Sequence, residues 1–523
     1  MNREDQISRL EPGKIWDFII IGGGASGLGA AVDAASRGFE SVLFEGADFA
    51  KGTSSRSTKL VHGGVRYLAQ GDIGLVREAL RERGLIAKNA KHLFRDQDFI
   101  IPTYTIWQKL YYGIGLKIYD WLSWGWSLGA SKWIKDSEAK QQLPNLKSEG
   151  LAGGVIYKDG QFDDSRLALS LAQTAEEAGA AVINYMRVID LLKDPDGKLV
   201  GVRVLDLESG ITHQVLARVV VNATGVFSNK ILKMDDKEAN EIRVVPSQGI
   251  HLVVDDSFLG SDKALMIPKT TDGRVLFAIP WHGKTILGTT DTLIKKPSYE
   301  PRPQEEEIDF ILENAGTYMS RVPTRQDIKS VFVGLRPLVA PKKDKKNTKE
   351  ISRGHKILTS PSGLITILGG KWTTYRSMGE ELIDQAIELH RLKKIPSASR
   401  YLPIYGNPNG VELPTEKRLR IYGEAALGIR KLENQEPELA TKIHPAYPYT
   451  KAQVVWAARH EMARTVEDFL ARRIRLLFLD AKAAQEASEV VASIMSGELR
   501  KDTDWVNTQL QEFAKLSQGY ILS

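Results

Sequence analysis

The chain contains 523 residues, with 71 basic and 65 acidic side chains, a formal net charge of +6 and no cysteine. A chain of this length is too long for a single hydrophobic core, so we expect two or three domains. The lack of cysteine excludes disulfides, thiolate ligands for zinc or iron–sulfur clusters, a nucleophilic thiol and a flavin attached through sulfur. Electron transfer by this chain would therefore need an added organic cofactor, and we predict no metal site.

Charge and hydropathy also limit the partners. The one dense basic run in the sequence, residues 342–349, is interpreted as an exposed loop, so we predict no nucleic-acid partner. Residues 1–6 carry acids and no apolar core, and no run of 18 or more apolar residues occurs. We therefore expect neither a signal peptide nor a membrane span, and a protein that faces the cytoplasm.

Residues 16–45 have the pattern of a dinucleotide-binding unit. An apolar segment predicts a strand, and it leads directly into the G-x-G-x-x-G glycines of residues 22–27, where a helix begins. Backbone N–H groups at such a helix N-terminus bind a pyrophosphate. Residues 41–44 predict a second strand, and it ends at Glu45, an acid placed to accept hydrogen bonds from an adenosine ribose. This segment therefore predicts dinucleotide binding.

Residues 51–68 combine hydroxyl side chains, glycines and cations at high density. This composition suits a segment that wraps around a phosphate and a polar ring, whereas a solvated loop leading into the predicted helix 73–89 is the alternative. Two later segments, 218–225 and 363–376, again run from an apolar strand into glycine. A ligand that contacts such distant parts of the chain is long and buried, which favours FAD over a nicotinamide cofactor held in a surface crevice.

Residues 104–135 are rich in aromatic side chains and contain five of the ten tryptophans of the chain. Clustered Trp and Tyr beside several lysines are typical of an interfacial helix in the headgroup region of a membrane. A pair of helices that packs in the core beside the dinucleotide-binding domain is the alternative that this composition leaves open.

The middle and the end of the chain predict different structures. Four short segments rich in branched residues and separated by turn signals predict an antiparallel sheet. They are residues 251–255, 264–268, 274–280 and 284–288. From about Tyr401 onward, strand signals disappear and helical periodicity predicts a helical domain. One apolar stripe is predicted there from Val454, Val455, Ala458, Met462, Val466, Phe469 and Leu470.

Six motifs carry a resemblance to a known family. They are residues 21–24, 53–68 (Thr-Ser-Ser-Arg-Ser-Thr-Lys-Leu-Val-His-Gly-Gly-Val-Arg-Tyr-Leu), 221–225, 287–291, 334–337 and 369–376 (Gly-Gly-Lys-Trp-Thr-Thr-Tyr-Arg). The chain resembles the FAD-dependent glycerol-3-phosphate dehydrogenases and oxidases of the D-amino-acid-oxidase-like flavoprotein superfamily. The motifs occur in the order of the family, and the resemblance spans most of residues 14–390.

The resemblance implies an α/β fold with a Rossmann-like FAD-binding domain, an antiparallel-sheet substrate domain and a helical C-terminal cap domain. The predicted FAD-binding domain is discontinuous in sequence, and the cap domain follows its last segment. A homodimer formed through the cap domain is possible on this interpretation. The FAD-binding domain comprises residues 12–75, 160–245 and 331–390, the substrate domain residues 76–159 and 246–330, and the cap residues 391–523. The proposed membrane-interface segment, 104–135, lies in the substrate domain.

The resemblance implies FAD as cofactor and assigns its binding residues to the glycine-rich turns and the Ser/Thr-rich segment. We expect contacts with FAD from Gly22, Gly24, Ser26, Gly27, Glu45, Thr53, Ser54, Ser55, Lys59, His62, Ala223, Gly225, Gly370, Lys371 and Thr373.

The resemblance also implies a substrate site for glycerol 3-phosphate. Arg66, Tyr67, Arg336 and Lys371 match family positions on the substrate side of the flavin, and arginine suits a phosphate because its planar fork donates two hydrogen bonds. His251 is the first candidate for the general base, since imidazole titrates in the useful range. Arg336 would stabilise the developing alkoxide or bind the phosphate. The implied product is dihydroxyacetone phosphate with FADH2.

The electron acceptor separates two members of the family, because a dehydrogenase reduces a membrane quinone and an oxidase reduces O2 to hydrogen peroxide. The aromatic segment 104–135 favours the quinone, with the protein peripheral on the inner face of the cell membrane. Two further hypotheses are an FAD-dependent oxidoreductase of 2-hydroxy acids or amines, and a flavin-binding scaffold or redox sensor without turnover. The first needs an arginine that binds a carboxylate, and the second predicts a flavin that small substrates do not reduce.

Overall fold

The computed structural model describes residues 1–68, 71–236, 242–341, 354–408, 410 and 412–522. The strands are β1 (Ile15–Ile21), β2 (Ser41–Phe44), β3 (Leu60–Val61), β4 (Phe94–Thr103), β5 (Lys132–Ile134), β6 (Gly153–Phe162), β7 (Ala181–Ile183), β8 (Met186–Lys193), β9 (Leu199–Asp206), β10 (Thr212–Asn222), β11 (Ile242–Asp255), β12 (Ala264–Ile267), β13 (Leu276–Trp281), β14 (Lys284–Gly288), β15 (Thr292–Leu293), β16 (Ser330–Pro341), β17 (His355–Thr359) and β18 (Ile365–Gly369).

The α-helices of the described residues are α1 (Arg3–Ser8), α2 (Ala25–Ser36), α3 (Val65–Leu68), α4 (Ile73–Asn89), α5 (Ile106–Leu122), α6 (Asp136–Gln142), α7 (Asp164–Glu177), α8 (Ser228–Asp235), α9 (Glu305–Tyr318), α10 (Tyr375–Leu389), α11 (Lys417–Arg420), α12 (Ala426–Gln435), α13 (Lys451–His460), α14 (Leu476–Leu479), α15 (Ala481–Leu499) and α16 (Thr503–Ser517). A π-helical turn, Asp468–Arg473, lies between α13 and α14. The predicted helix 73–89 coincides with α4.

The first sheet has the strand order β17-β18-β10-β1-β2-β7, with β9 added to β10 and β8 to β9. The strands from β18 to β7 are parallel to one another. Strand β1 is apolar throughout its second half because both faces are covered. Phe18 and Ile20 belong to a core shared with α2, α7 and α10, and Ile19 and Ile21 to a core shared with β8 and β9. This sheet is the predicted dinucleotide-binding sheet.

The second sheet has the order β15-β11-β14-β13-β12-β4-β6-β3, with β16 paired to β11 and β5 to β6. The four segments predicted between residues 251 and 288 lie in β11, β12, β13 and β14, and neighbouring members pair in the antiparallel direction. The prediction of an antiparallel sheet here is confirmed.

The pairing of β11 with β16 is the longest in the second sheet and extends from Ile242↔Pro341 to Val253↔Ser330. It joins strands that are distant in sequence, and it places Arg336 opposite Ser247 and Phe332 opposite His251. Both β3 and β16 thus lie in the second sheet, although their residues fall within segments that we assigned to the FAD-binding domain. Strand β16 also contacts β18 of the first sheet, and the candidate site lies beside this contact.

The described residues after Tyr401 contain helices and no strand, as predicted. The predicted apolar stripe, however, does not form one helix: α13 ends at His460, and residues 461–464 are not helical. The helix ends at a buried ion pair, in which both carboxylate oxygens of Glu461, the C-cap of α13, accept hydrogen bonds of 2.9 Å from Arg166. Met462 then has a φ of +50°, which reverses the chain before the π-helical turn. The stripe is therefore divided between two elements.

Helix α5 presents an apolar stripe to solvent. Trp107, Tyr111, Ile114, Ile118 and Trp121 recur at spacings of three and four residues, which places them on one face of the helix, and between 45% and 81% of each is exposed. The opposite face, with Leu116 and Tyr119, is buried. The packing of this helix therefore does not match the alternative of a core helix pair. Among the described residues, no helix has the length and apolar character needed to cross a membrane.

Buried ion pairs join the C-terminal region to the first sheet. Asp48 follows β2, and its carboxylate accepts hydrogen bonds of 2.7 and 2.9 Å from Arg473 and one of 2.5 Å from Arg472. All three side chains are at most 2% exposed. Burial by itself would raise the pKa of Asp48, but the guanidinium groups of Arg473 and Arg472 lower it below its ordinary value.

We predict that Asp48→Ala lowers the free energy of unfolding by about 3–5 kcal/mol, because it leaves two buried guanidinium groups without their shared carboxylate. Denaturant unfolding of the purified protein measures this loss. The control, Glu498→Ala, removes the partner of the more exposed Arg459 and should cost about 0–1 kcal/mol. Because the pKa of Asp48 is lowered, its contribution is complete at neutral pH and is lost only as the pH falls through that pKa. Equal losses in both variants would contradict the prediction.

Candidate functional site

The turn between β1 and α2 forms one end of the site. Gly22 has a φ of +113°, and a Cβ atom at Gly27 would lie 1.9 Å from the carbonyl oxygen of Gly22, so both positions require glycine. Gly24 is the N-cap of α2 and has no capping side chain of its own, whereas the amide of Ala25 donates to the Ser54 hydroxyl at 2.9 Å. The helix N-terminus thus presents backbone N–H groups to the cavity beside it, as pyrophosphate binding requires.

Glu45 lies at the end of β2 and lines the same cavity. Its two carboxylate oxygens accept hydrogen bonds from the amides of Gly23 and Ala47 at 2.7 and 2.9 Å. Burial raises the pKa of Glu45, and the two amides oppose this effect. These amides fix the carboxylate at the edge of the cavity, where the sequence predicts the ribose of a dinucleotide.

Two adjoining cavities form the site. The first is about 500 Å³ and extends from the α2 N-terminus past Glu45. The second is about 260 Å³ and lies against β11 and β16. Both are lined by Thr53, Gly369, Gly370, Lys371 and Trp372, so they meet at the end of β18. The combined shape is long and crosses from the first sheet to the second, as an extended dinucleotide requires.

The predicted cofactor residues divide into three groups. Most of them line the cavities: Gly22, Gly24, Ser26, Glu45, Thr53, Ser54, Ala223, Gly225, Gly370 and Lys371 line the first or both, and His62 and Thr373 line the second. Gly27 permits the tight turn beneath the first cavity. Ser55 and Lys59 do not line either cavity.

Lys59 and Ser55 instead lie in a buried polar cluster. The Lys59 ammonium is fully buried and donates hydrogen bonds of 2.7 Å to the Ser55 carbonyl and to Asp164. Arg475 also donates to the Ser55 carbonyl, at 2.5 Å, and to Asp164, at 3.2 Å. The cofactor roles of Ser55 and Lys59 stay predictions, and the geometry gives them a role in holding the neighbouring segment in place.

The second cavity is lined by Arg336, His251, His62 and Lys371. The guanidinium of Arg336 donates to the Thr290 carbonyl at 2.9 Å and to the Thr289 hydroxyl at 3.1 Å, and Asp291 lies 3.3 Å from it. These contacts orient the guanidinium at the cavity wall. The grouping of cations in one concave site provides the charge that a phosphate ester requires.

His251 is 2% exposed, and its ring stacks on Phe332 with 4.6 Å between the ring centroids and an angle of 14° between the planes. Its Nε2 atom lies 3.0 Å from the Thr58 hydroxyl oxygen. Burial lowers the pKa of His251 well below its ordinary value, and the nearby charges of Lys59 and Arg336 lower it further. The imidazole is therefore neutral at neutral pH, and one of its ring nitrogens carries a free lone pair.

Two predicted substrate residues, Arg66 and Tyr67, lie in α3, which begins three residues after the cavity-lining His62. Their side chains are outside the described part of the structure, so their role stays a prediction. The basic run 342–349 also lies outside the described residues.

Sequence reasoning missed several residues that line the cavities. The rings of Phe227 and Tyr299 contact each other in a tilted arrangement, with 4.5 Å between their centroids, and both residues line the first cavity together with Arg187. Neither aromatic residue lies in a recognisable motif, and they are distant in sequence, so only the tertiary structure brings them together. Thr58 and Trp372 also line the site, and for these two a signal existed, since both lie inside the motifs that carry the family resemblance.

Comparison with known proteins gives consistent matches over the whole chain. The family described as FAD dependent oxidoreductase matches residues 17–376, and the C-terminal domain of alpha-glycerophosphate oxidase matches residues 365–505. The mitochondrial glycerol-3-phosphate dehydrogenase of Homo sapiens is 39% identical, over 99% of this chain and 76% of the relative. The probable mitochondrial glycerol-3-phosphate dehydrogenase of Caenorhabditis elegans is also 39% identical, over 98% of this chain and 74% of the relative.

A solved structure extends the similarity to three dimensions. The crystal structure of the glycerol-3-phosphate dehydrogenase from Bacillus halodurans complexed with FAD has a TM-score of 0.81 with this chain at 29% identity. The match covers 99% of this chain and 98% of the other. The predicted fold class and the predicted FAD cofactor are thereby confirmed.

We predict that Gly27→Ala abolishes retention of FAD, because the added methyl group cannot be accommodated 1.9 Å from the Gly22 carbonyl oxygen without opening the turn. Flavin absorbance per protein after gel filtration, and titration of the apoprotein with FAD, measure the effect. Gly74→Ala in α4 is the matched control, since the nearest atom to its added Cβ would be a side-chain oxygen 3.8 Å away. Normal FAD content in Gly27→Ala would contradict the assigned position of the pyrophosphate.

Proposed function

Because the chain belongs to the family of FAD-dependent glycerol-3-phosphate dehydrogenases, we propose that it oxidises sn-glycerol 3-phosphate to dihydroxyacetone phosphate and transfers the electrons to a membrane quinone. The site geometry supports this proposal on the substrate side. A cavity lined by Arg336, Lys371, His62 and His251 adjoins the cavity that fits the dinucleotide.

The observation that carries the substrate assignment is the position of these charges. Arg336 is fixed by the loop of residues 289–291, and Lys371 lies where the two cavities meet. A phosphate dianion placed between them would be held by charge-assisted hydrogen bonds at one end of the cavity. The carbon backbone of the substrate would then lie along the wall that contains His251.

The residues of the chain would divide the chemistry between them. Arg336 and Lys371 bind the phosphate and stabilise negative charge that develops on the substrate oxygen. Neutral His251 accepts the proton of the C2 hydroxyl group, and its low exposure keeps bulk water from competing. Bound FAD supplies the oxidant, by accepting a hydride at N5. Arg66 and Tyr67 are proposed as further substrate contacts because of their motif.

The quinone acceptor and the peripheral position at the inner face of the cell membrane are supported by α5. Its exposed aromatic stripe continues into Trp124, which is 82% exposed, and Trp133, which is 44% exposed. Lys117, Lys132 and Lys135 are exposed beside them. An apolar stripe of this kind, bordered by lysines, fits the headgroup region of an anionic bilayer, where quinones dissolve.

We predict that anaerobic addition of glycerol 3-phosphate bleaches the flavin absorbance near 450 nm, whereas glycerol and lactate do not, because only the phosphate ester uses the cationic cavity. After bleaching, a membrane quinone should restore the absorbance rapidly and air only slowly. Rapid reoxidation in air with formation of hydrogen peroxide would instead identify an oxidase. A flavin that remains oxidised with glycerol 3-phosphate would contradict the substrate assignment, and reduction by amines or 2-hydroxy acids would then be tested.

We predict that the variant with Trp107, Trp121 and Trp124 each changed to Ser binds vesicles of mixed phosphatidylcholine and phosphatidylglycerol at least about tenfold more weakly, because it removes most of the interfacial aromatic area. Sedimentation with vesicles measures the binding. The control changes Tyr401 and Leu427 to Ser, since these side chains are 58% and 59% exposed outside the stripe. Equal vesicle binding by wild type and the triple variant would exclude this helix as the membrane contact.

A further inference from the structure

The two imidazole nitrogens of His251 have different surroundings. The Nδ1 atom is buried and has no hydrogen-bond partner among the described residues, whereas Nε2 lies 3.0 Å from the Thr58 hydroxyl oxygen. His251 as a whole is 2% exposed, and Thr58 is only partly buried and lines the same cavity. Thr58 therefore joins the more deeply buried imidazole to the cavity that both residues line.

The neighbours of Thr58 hold it rigidly in this position. On one side, the amide and the hydroxyl of Ser57 both donate to Asp164, at 3.0 and 2.7 Å. On the other side, the Lys59 ammonium donates to the same carboxylate at 2.7 Å. Lys59 has a φ of +64°, a left-handed conformation that a lysine adopts only where its surroundings enforce it. The residues on both sides of Thr58 are thus attached to one buried acid.

The imidazole is held just as firmly. Its ring is stacked on Phe332, and the antiparallel pairing of β11 with β16 fixes the two residues opposite each other. The charges nearest to the imidazole are Lys59 and Arg336, and both favour its neutral form. A neutral imidazole with its proton on Nδ1 leaves the Nε2 lone pair free to accept a hydrogen bond from Thr58.

We propose that Thr58 is a catalytic residue that relays the proton of the substrate hydroxyl group to His251. This inference rests on the proposed oxidation of glycerol 3-phosphate and adds a residue to it. The substrate C2 hydroxyl group donates its proton to Thr58 Oγ1, while the proton of Thr58 moves to His251 Nε2. The O–H bond of the substrate breaks and an N–H bond forms on the imidazole, which becomes a cation. Thr58 ends as a hydroxyl group again.

The electrons balance with the oxidant of the proposed reaction. The C2–H bond of the substrate breaks with its electron pair, which leaves as hydride to the oxidised flavin, and C2–O becomes a carbonyl. The substrate thus loses one proton to His251 through Thr58 and one hydride to FAD. No additional oxidant or base is required.

The test is the rate of flavin reduction by saturating glycerol 3-phosphate, followed anaerobically by stopped flow in the FAD-loaded protein. Thr58→Val keeps the size of the side chain but removes the hydroxyl group, and we expect it to slow reduction about 100-fold or more. Thr58→Ser keeps the hydroxyl group, and its rate of flavin reduction should remain within about tenfold of the wild-type rate. The tenfold range allows for the added rotamer freedom of serine. The matched control is Thr317→Val, because Thr317 lies exposed on α9 and its hydroxyl donates to the Glu313 carbonyl of the same helix.

Further readouts separate a proton relay from a merely structural effect. The FAD content, the melting temperature and the KM for glycerol 3-phosphate of Thr58→Val should remain near those of wild type, and the solvent deuterium isotope effect on reduction should change. The double variant Thr58→Val with His251→Gln should reduce its flavin only a little more slowly than the slower single variant, because residues of one relay act as a unit.

These measurements distinguish a failure of the proposed relay from a failure of the proposed function. If the flavin of Thr58→Val is reduced as fast as that of wild type, the relay is wrong and the substrate donates its proton without Thr58. The proposed function stands in that case. If the losses in the double variant are additive, Thr58 and His251 act independently and the relay is also wrong. If wild type is not reduced by glycerol 3-phosphate, the proposed function fails and the relay fails with it.

Discussion

Buried carboxylates at the junction of the two sheets and the C-terminal helices hold the site together. Asp164 accepts hydrogen bonds from Ser57, Lys59 and Arg475, and Asp48 accepts hydrogen bonds from Arg472 and Arg473. Charged groups in such a dry environment are stable only as complete clusters, so the loss of one partner is costly. The C-terminal region thereby contributes to the shape of a cavity that it does not line.

This cluster also determines the electrostatics of the cavity. Lys59 is paired with Asp164, but it still lies close enough to His251 to favour the neutral imidazole, and Arg336 acts in the same direction. A cavity with this bias would bind an anion, and it would keep the proposed base, His251, unprotonated before the anion arrives. Binding of a phosphate dianion would then oppose the bias and raise the proton affinity of the imidazole during the reaction. In the proposed reaction, the same charges would serve substrate binding and proton transfer.

The helix with the exposed aromatic stripe, α5, packs against the segment that lines the second cavity. Tyr119, on the inner face of α5, donates to Asp159 at 2.8 Å, and Arg83 of α4 binds the same carboxylate at 3.0 Å. A Cβ atom at Gly63 would lie 2.3 Å from the Tyr119 hydroxyl oxygen, so α5 packs directly against the segment that begins with His62. The helix proposed to contact lipid is thus packed against the wall of the substrate-side cavity. An acceptor dissolved in the bilayer would approach the protein from this side.

The sequence by itself determined the features that depend on local order along the chain. The glycine turn after β1, the acid at Glu45, helix α4 and the strands between residues 251 and 288 could be predicted because periodicity and turn residues act over a few positions. Most of the predicted cofactor residues line the cavities for the same reason. Only the tertiary structure decided the contacts of Lys59, Thr58 and Glu461, because their partners Asp164, His251 and Arg166 are distant in sequence. Burial selects these contacts, and local sequence patterns do not encode burial.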